Sequence, residues 1–403
     1  MIYCLNMPPY SIYIHIPFCV HRCAYCDFNT YAGYDNLIPG YVEALCKEIT
    51  LLSISAGSPL PIHTIFFGGG TPSLLPSQSI RCILNILEQN FNLQSDIEIS
   101  LEANPGSLNY RYLRELREQG VNRLSLGMQS ANASELRLLE RQHDFGEVIR
   151  SVSWARQAGF TNLNLDLIFG LPYQSLEAWE GNLLHALELE PDHLSLYALT
   201  LEHGTPMHHW VNRGLLPEPD PDLAAEMYEY STDLLEREGF VQYEISNWAR
   251  QNSEGKSISC LHNLQYWRNL PYLGFGAGAH GFAAGMRVAN VLSPAVYIQR
   301  CLELVSNKER PFPCSPATTK TQKIDRSTEM GETMIMGLRL TIEGVSKSTF
   351  YDRFEITLEQ VYGKEIDDLI DKGLLECCGE GGDTLRLTQR GRLLGNQVFM
   401  QFV

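Results

Sequence analysis

Short apolar runs alternate with longer amphipathic stretches through the first half of the chain. Runs rich in β-branched and aromatic residues occupy 11–16, 62–67, 96–102, 123–128, 163–169 and 193–199. Between them, 41–52, 79–91, 110–119, 145–158 and 176–189 place their apolar residues at helical spacing. Strand and helix repeated in this order predict a parallel sheet with helices packed outside it. Regular units of this kind predict an α/β fold, a barrel of six units, complete or partial, rather than a flat dinucleotide-binding sheet. The chemistry of such a barrel gathers at the C-terminal ends of its strands.

Beyond about residue 216 the texture changes. The acidic, proline-rich PEPDPD reads as a linker, followed by a helix near 223–238. The stretches YEISNW (from Tyr243) and GFGAG (from Gly274) come next, and a polar stretch with three prolines at 309–319 reads as a boundary. The remainder suggests three helices and a short hairpin turning at 379–383, a small winged-helix-like α+β module. The expected organisation is a barrel over 1–216, an extension over 217–310 and a C-terminal module over 320–403. That module carries 14 acidic and 11 basic residues, so it lacks the positive footprint of a nucleic-acid reader.

Composition narrows the class. Hydrophobic residues are 44% and charged residues 19% of the 403, enough for a substantial core, and the net charge is −16. That balance argues against a general nucleic-acid or anionic-membrane binder and leaves at most peripheral membrane association. The first residues, MIYCLNMPPYS, lack the cationic and apolar segments of a signal peptide. No apolar run approaches the ~20 residues that span a bilayer. An odd number of cysteines, 11, without a repeated framework points to a reducing interior. The expected location is cytoplasmic.

The distinctive residues follow the strands. Cys19, Cys23 and Cys26 come after the first, Gly68–Gly69–Gly70–Thr71–Pro72 after the second, and Glu102 ends the third. Gln129 follows the fourth, and Asp166 lies in the fifth, before FGLP. A structural zinc site wants four ligands, and the nearest further candidates, His15 and His21, complete no familiar spacing. A redox C-x-x-C of Cys23 and Cys26 leaves Cys19 unexplained. Three soft thiolates in one loop suit an iron–sulfur cluster with one iron left open; zinc remains the alternative. The glycine stretch has neither the Lys-Ser/Thr of a Walker motif nor G-x-G-x-x-G spacing. Its glycines allow close backbone approach.

C-x₃-C-x₂-C after a first strand resembles the radical S-adenosylmethionine (SAM) superfamily. In order, YIHIPFC, GGGTPS, LEANPGS, RLSLGMQS and DLIFGLP are similar to its oxygen-independent coproporphyrinogen III oxidase-like branch. The resemblance covers nearly the whole chain. It implies a partial (β/α)6 TIM-like radical SAM barrel, a [4Fe–4S] cluster on Cys19, Cys23 and Cys26, and SAM chelating the open iron. It further implies Tyr13 and Tyr25 flanking cluster and SAM, with Gly69, Gly70, Thr71, Glu102, Gln129, Arg141 and Asp166 lining the SAM pocket.

This branch divides into oxidases and haem chaperones. Oxidases carry another cysteine two residues after the third; here Phe28 stands in that position, within Cys26–Asp27–Phe28. The sequence is therefore more similar to the HemW-type chaperones, as is His262–Asn263–Leu264–Gln265–Tyr266–Trp267. By that resemblance His262 is a haem ligand, and Tyr266 and Trp267 help to form the pocket. The expected activity is haem binding and transfer to acceptor proteins such as respiratory cytochromes, with an electron donor for the cluster. Coproporphyrinogen decarboxylation is the alternative, and radical modification of haem a weaker third. His203, His208 and His209 read as a solvated polar loop, Cys377–Cys378 as a structural pair at a hairpin edge. Cys4, Cys46, Cys82, Cys260, Cys301 and Cys314 read as buried small hydrophobes or surface thiols.

Overall fold

The computed structural model describes residues 8–252, 254–303 and 310–403. Cys4 and the start of the 309–319 boundary lie outside them. The chain divides into two compact units, 1–231 with 271–322, and 232–270 with 323–403. The linear segment 217–310 is thus shared between both.

All six expected strands form in the first unit: β1 Tyr10–Ile16, β2 Pro61–Gly69, β3 Asn92–Ala103, β4 Arg123–Gln129, β5 Leu163–Phe169 and β6 His193–Ala198. Five helices alternate with them: α1 Ile38–Ser55, α2 Ser77–Asn90, α3 Tyr110–Glu118, α4 Phe145–Gln157 and α5 Leu176–Leu187. The helix starts are written locally. The Asn109 side chain accepts from the Tyr112 N–H, Asp144 and Glu147 form a reciprocal capping box, and Ser175 accepts from the Ala178 N–H. Neighbouring strands are parallel, from Ser11 opposite Thr64 through to Phe169 opposite Ala198. Ile12, Ile14 and Ile16 of β1 are fully buried.

The six units form an α/β partial barrel, and its first strand is paired on both sides. Opposite β2, β1 pairs in parallel with β7 Tyr272–Phe275. Antiparallel β8 His280–Ala283 and β9 Met286–Asn290 follow, and β10 Thr318–Lys323 lies beyond them. Sequence patterning missed this return of the chain, since β7 is four residues long and glycine-bearing. Its glycine has a steric reason: a Cβ on Gly274 would lie 1.8 Å from the His280 carbonyl oxygen.

Glu48 of α1 locks that return in place. Its buried carboxylate accepts from the Gly276 N–H (2.9 Å), Asn290 (2.8 Å), Tyr297 (2.7 Å) and Ser315 (2.6 Å). Burial pushes its pKa upward against these hydrogen bonds. Removing the carboxylate would strand four donors in the interior, each a costly loss.

The second unit carries an antiparallel pair, Phe240–Glu244 with Asn247–Arg250, and the short helix α6 Leu261–Trp267. Its C-terminal part follows the expected order of three helices, α7 Arg326–Gly337, α8 Lys347–Phe354 and α9 Leu358–Asp371, then a hairpin, Leu375–Cys378 with Thr384–Leu387. Val345–Ser346 adds a third strand to this winged-helix-like sheet. Two short helices, Gln389–Leu393 and Gly395–Phe399, follow the hairpin and were not expected.

One smaller expectation is corrected. His208 and His209 sit in a helix, Pro206–Asn212, started by proline and capped by Thr205, rather than in a loop. The His203 and His208 rings lie 4.4 Å apart. Cys46 and Cys82 are neighbours, sulfur to sulfur 3.8 Å, whereas Cys260 and Cys301 are buried.

Candidate functional site

The cysteine loop leaves the end of β1 and returns beside it. Phe18 and Cys19 pair in parallel with Tyr31 and Ala32, and the Tyr31 N–H donates to the Pro17 carbonyl. A tight turn, Cys26 N–H to Cys23 O at 3.1 Å, folds the backbone between the second and third cysteines into one arc. Below it, the Ala24 N–H reaches Leu139 O and the Met207 N–H reaches Ala24 O, so loops from later in the sheet clamp the arc.

The glycine stretch lies against this loop. The Gly70 N–H donates to Ile16 O and the Thr71 N–H to Phe18 O, both at 2.8 Å. A Cβ on Gly70 would lie 2.7 Å from Phe18 O and 3.0 Å from Cys19 Sγ. Glycine is therefore required here by the approach of the chain to its own first cysteine, before any ligand is considered. The Thr71 hydroxyl points to Cys19 Sγ at 3.7 Å.

Around this core the expected residues converge through specific contacts. The Arg141 guanidinium reaches Cys23 Sγ at 3.5 Å and the Gly127 carbonyl at 2.9 Å, and its buried Nε has no hydrogen-bond partner. Tyr25 packs with Ala24, Leu139 and Ile168; burial pushes its phenol pKa far up, and Arg141 opposes that. Glu102 accepts from the Gly69 N–H at 3.1 Å. Burial first, and the neighbouring Asp166 carboxylate second, push its pKa up to about 8. Asp166 accepts from Ser125 (2.9 Å) and Asn164 (2.8 Å), while burial raises its own pKa. Gln129 has φ +62°, the left-handed region uncommon for a non-glycine residue. Tyr13 contacts His15 Nδ1 through its hydroxyl at 3.0 Å and stacks on Phe66.

The two histidines weighed as further metal ligands are otherwise engaged. His15 Nε2 lies 3.0 Å from Asn29 O, and His21 pairs with Glu140 at 3.2 Å. Among the described residues, no three His, Cys, Asp or Glu side chains stand close enough to hold one metal ion. Four sulfurs around zinc share a centre ~2.3 Å from each, whereas a polynuclear cluster spreads its thiolates. Three thiols with a cationic donor on Cys23 are a donor set that suits a cluster. Burial raises the pKa of Cys19 and Cys26, so binding a metal centre there would release protons.

Sequence reasoning missed Asn29, which ties the cysteine loop to the returning chain through Ala277 O (3.1 Å) and Leu292 O (3.0 Å). It also missed Ser125 and Asn164, which orient Asp166. Small polar residues inside apolar strands were the available sign.

In the second unit, α6 places His262 and Tyr266 four apart on one face, as a helix requires. His262 is 1% exposed, and its Nε2 lies 2.9 Å from the Tyr266 hydroxyl, the two rings edge to face. Trp267 packs against Tyr243, Ala249, Leu264 and Leu340. Phe28, by contrast, is 64% exposed on the cysteine loop.

Residues 13–184 match the radical SAM superfamily and 324–394 the HemN C-terminal domain. The chain is 38% identical to the heme chaperone HemW of Bacillus subtilis, over 98% of this chain and 99% of that protein. It is 35% identical to the HemW of Lactococcus lactis, over 98% and 97%. In fold it is similar to the coproporphyrinogen III oxidase HemN of Escherichia coli, with a TM-score of 0.81 and 24% identity over 98% of this chain and 90% of that one. Identity above a third along essentially the full length of both chains leaves no part of the architecture unmatched: this chain belongs to the HemW family of the radical SAM superfamily.

Proposed function

We propose that this protein binds haem and passes it to an acceptor protein, carrying a [4Fe–4S] cluster on Cys19, Cys23 and Cys26 with SAM on the open iron. The observation that carries the cluster is the three-thiol arc with the Arg141 guanidinium on Cys23 Sγ. Such a donor complements the negative charge of a thiolate-bound metal centre. When bound, the cluster supplies an open Lewis-acidic and redox-active iron. The chain's own residues hold the surroundings. Gly69, Gly70 and Thr71 offer a backbone edge, and Glu102 and Asp166 offer acceptors for ammonium and hydroxyl groups. Tyr13, Tyr25 and Gln129 complete the walls of the pocket.

Haem is assigned to the His262 site. An imidazole is a common axial ligand, and flanking aromatic rings cover a porphyrin face. His262 Nε2 faces the Tyr266 hydroxyl in this conformation, so iron ligation through that nitrogen requires the hydroxyl to swing away. The family match supports haem transfer over coproporphyrinogen decarboxylation, as does Phe28 in the position of the oxidases' additional cysteine. The acceptor and the electron donor belong to the same proposal. The organisation proposed is a cofactor-bearing barrel, an extension with the haem motif and a C-terminal module. Among the described residues, no helix is long and apolar enough to cross a membrane.

The test is anaerobic reconstitution followed by separate assays of haem binding and of coproporphyrinogen III decarboxylation. Haem binding with transfer to an apo-acceptor, and no multiple-turnover protoporphyrinogen IX, is the expected result. SAM- and reductant-dependent turnover to protoporphyrinogen IX would establish the oxidase instead.

A further inference from the structure

The second unit holds an arginine whose purpose its own neighbours do not explain. The Arg339 guanidinium lies 4.5 Å from the Trp267 ring centroid and 5.8 Å from that of Phe399. Its Nε is buried and has no hydrogen-bond partner, and the buried indole Nε1 of Trp267 has none either. Two donors of different side chains, side by side and both unspent, are costly to maintain unless an acceptor sometimes reaches them.

The neighbouring Glu244 carboxylate does not meet that need. Glu244 is fully buried, and Arg339 is close enough to draw its pKa down against the effect of burial. Yet Glu244 spends Oε1 on the Ser246 N–H at 3.0 Å and on the Asn247 amide, and its Oε2 has no partner. Carboxylate and guanidinium are neighbours that do not bond. A guanidinium stacked on aromatic rings keeps its N–H groups in its own plane, the direction from which a carboxylate is taken two-pronged.

The position ties this arrangement to the haem motif. Trp267 ends α6, five residues beyond His262, an axial rise of about 7.5 Å. Trp267 and Leu340, the residue after Arg339, pack into one apolar cluster with Leu264 of the same helix. Haem carries two propionate carboxylates, its only anionic arms, at one edge of an otherwise apolar ring. We propose that Arg339, with the Trp267 indole N–H, receives a haem propionate at the His262 site and so sets the orientation of the porphyrin. This rests on the assignment of haem to His262.

The experiment compares haem with haem dimethyl ester, in which both propionates are capped, by Soret titration of the full-length reconstituted protein. Wild type should bind haem about tenfold or more tighter than the ester, the scale of one charge-assisted bidentate pair. Arg339→Gln should lose that factor for haem, leave ester binding unchanged and bring the ratio close to one. Trp267→Phe, which keeps the stacking ring but removes the N–H, should lower the ratio in part. Equal binding of haem and ester by wild type, or an Arg339→Gln protein that still discriminates, overturns the propionate assignment. The wild-type comparison needs no variant to fold. Failure of wild type to bind haem at all removes the underlying haem reading and the propionate assignment with it; binding without discrimination removes the latter alone.

Discussion

The cysteine arc and the His262 helix are both short motifs, but the fold treats them in opposite ways. The arc is built at strand ends. Its backbone is held by the glycine stretch, by Leu139 and by Met207, and its three thiols are left without a common partner. The His262 site is packed shut, the imidazole against Tyr266 and the indole among apolar side chains. The first is preorganised for a permanent resident, since the loop geometry is imposed by the sheet. The second must open to admit a ligand, so part of the binding energy goes into displacing internal contacts. The proposed carrier, which would keep one cofactor and release another, needs that difference.

Removing the arc gives the largest effect. Replacing Cys19, Cys23 and Cys26 together by alanine should abolish bound iron, sulfide and the charge-transfer absorption, while far-UV circular dichroism stays that of the folded sheet. Iron and sulfide at wild-type stoichiometry in this variant would falsify the assignment.

The next effect tests how strongly the first site is buried. Glu102 has its pKa raised to about 8 in the fold. Between its ordinary range and about 8 the folded state holds a proton that the unfolded state has released, so stability falls as pH rises through that window. Below it both states are protonated and the penalty is absent. Glu102→Gln should remove this slope from apo-protein denaturation curves, a difference on the order of a few kcal/mol at pH 8. Unchanged slopes in the two proteins would mean the carboxylate is solvated.

The closed site responds more gently. His262→Ala should weaken haem binding about tenfold or more and move the Soret band, leaving the iron–sulfur spectrum untouched. An unaltered affinity and spectrum would reduce His262 to a core histidine. Tyr266→Phe sharpens the comparison: it removes the hydroxyl competing for Nε2 but keeps the ring. Losing a hydrogen bond worth ~1 kcal/mol should raise haem affinity severalfold. A decrease would show that the hydroxyl helps to hold the ligand.

Much of the barrel was legible because its cues are local. The six strands read as β-branched runs, and Asn109, Asp144 and Ser175 mark where three helices begin. Strand β7 was not legible, because its stability comes from pairing with β1 some 260 residues away rather than from its own four residues, and because its glycine answers to a steric approach by His280. Glu48 was invisible for the same reason: a glutamate on an amphipathic helix reads as solvent-facing until four donors from the returning chain surround it.

The amino-acid order alone determined the class of chemistry. Three cysteines with gaps of three and two, a glycine stretch and an HNLQYW motif carry their ligand types in their side chains, and ligand type is a local property. What only the tertiary structure decided is how those groups are held. That Gly70 must be glycine because of Cys19, that Arg141 donates to Cys23, and that Arg339 stands unspent beside Trp267 all depend on residues brought together from far apart in the chain. Such contacts are set by the packing of whole elements, and no window of sequence contains both partners.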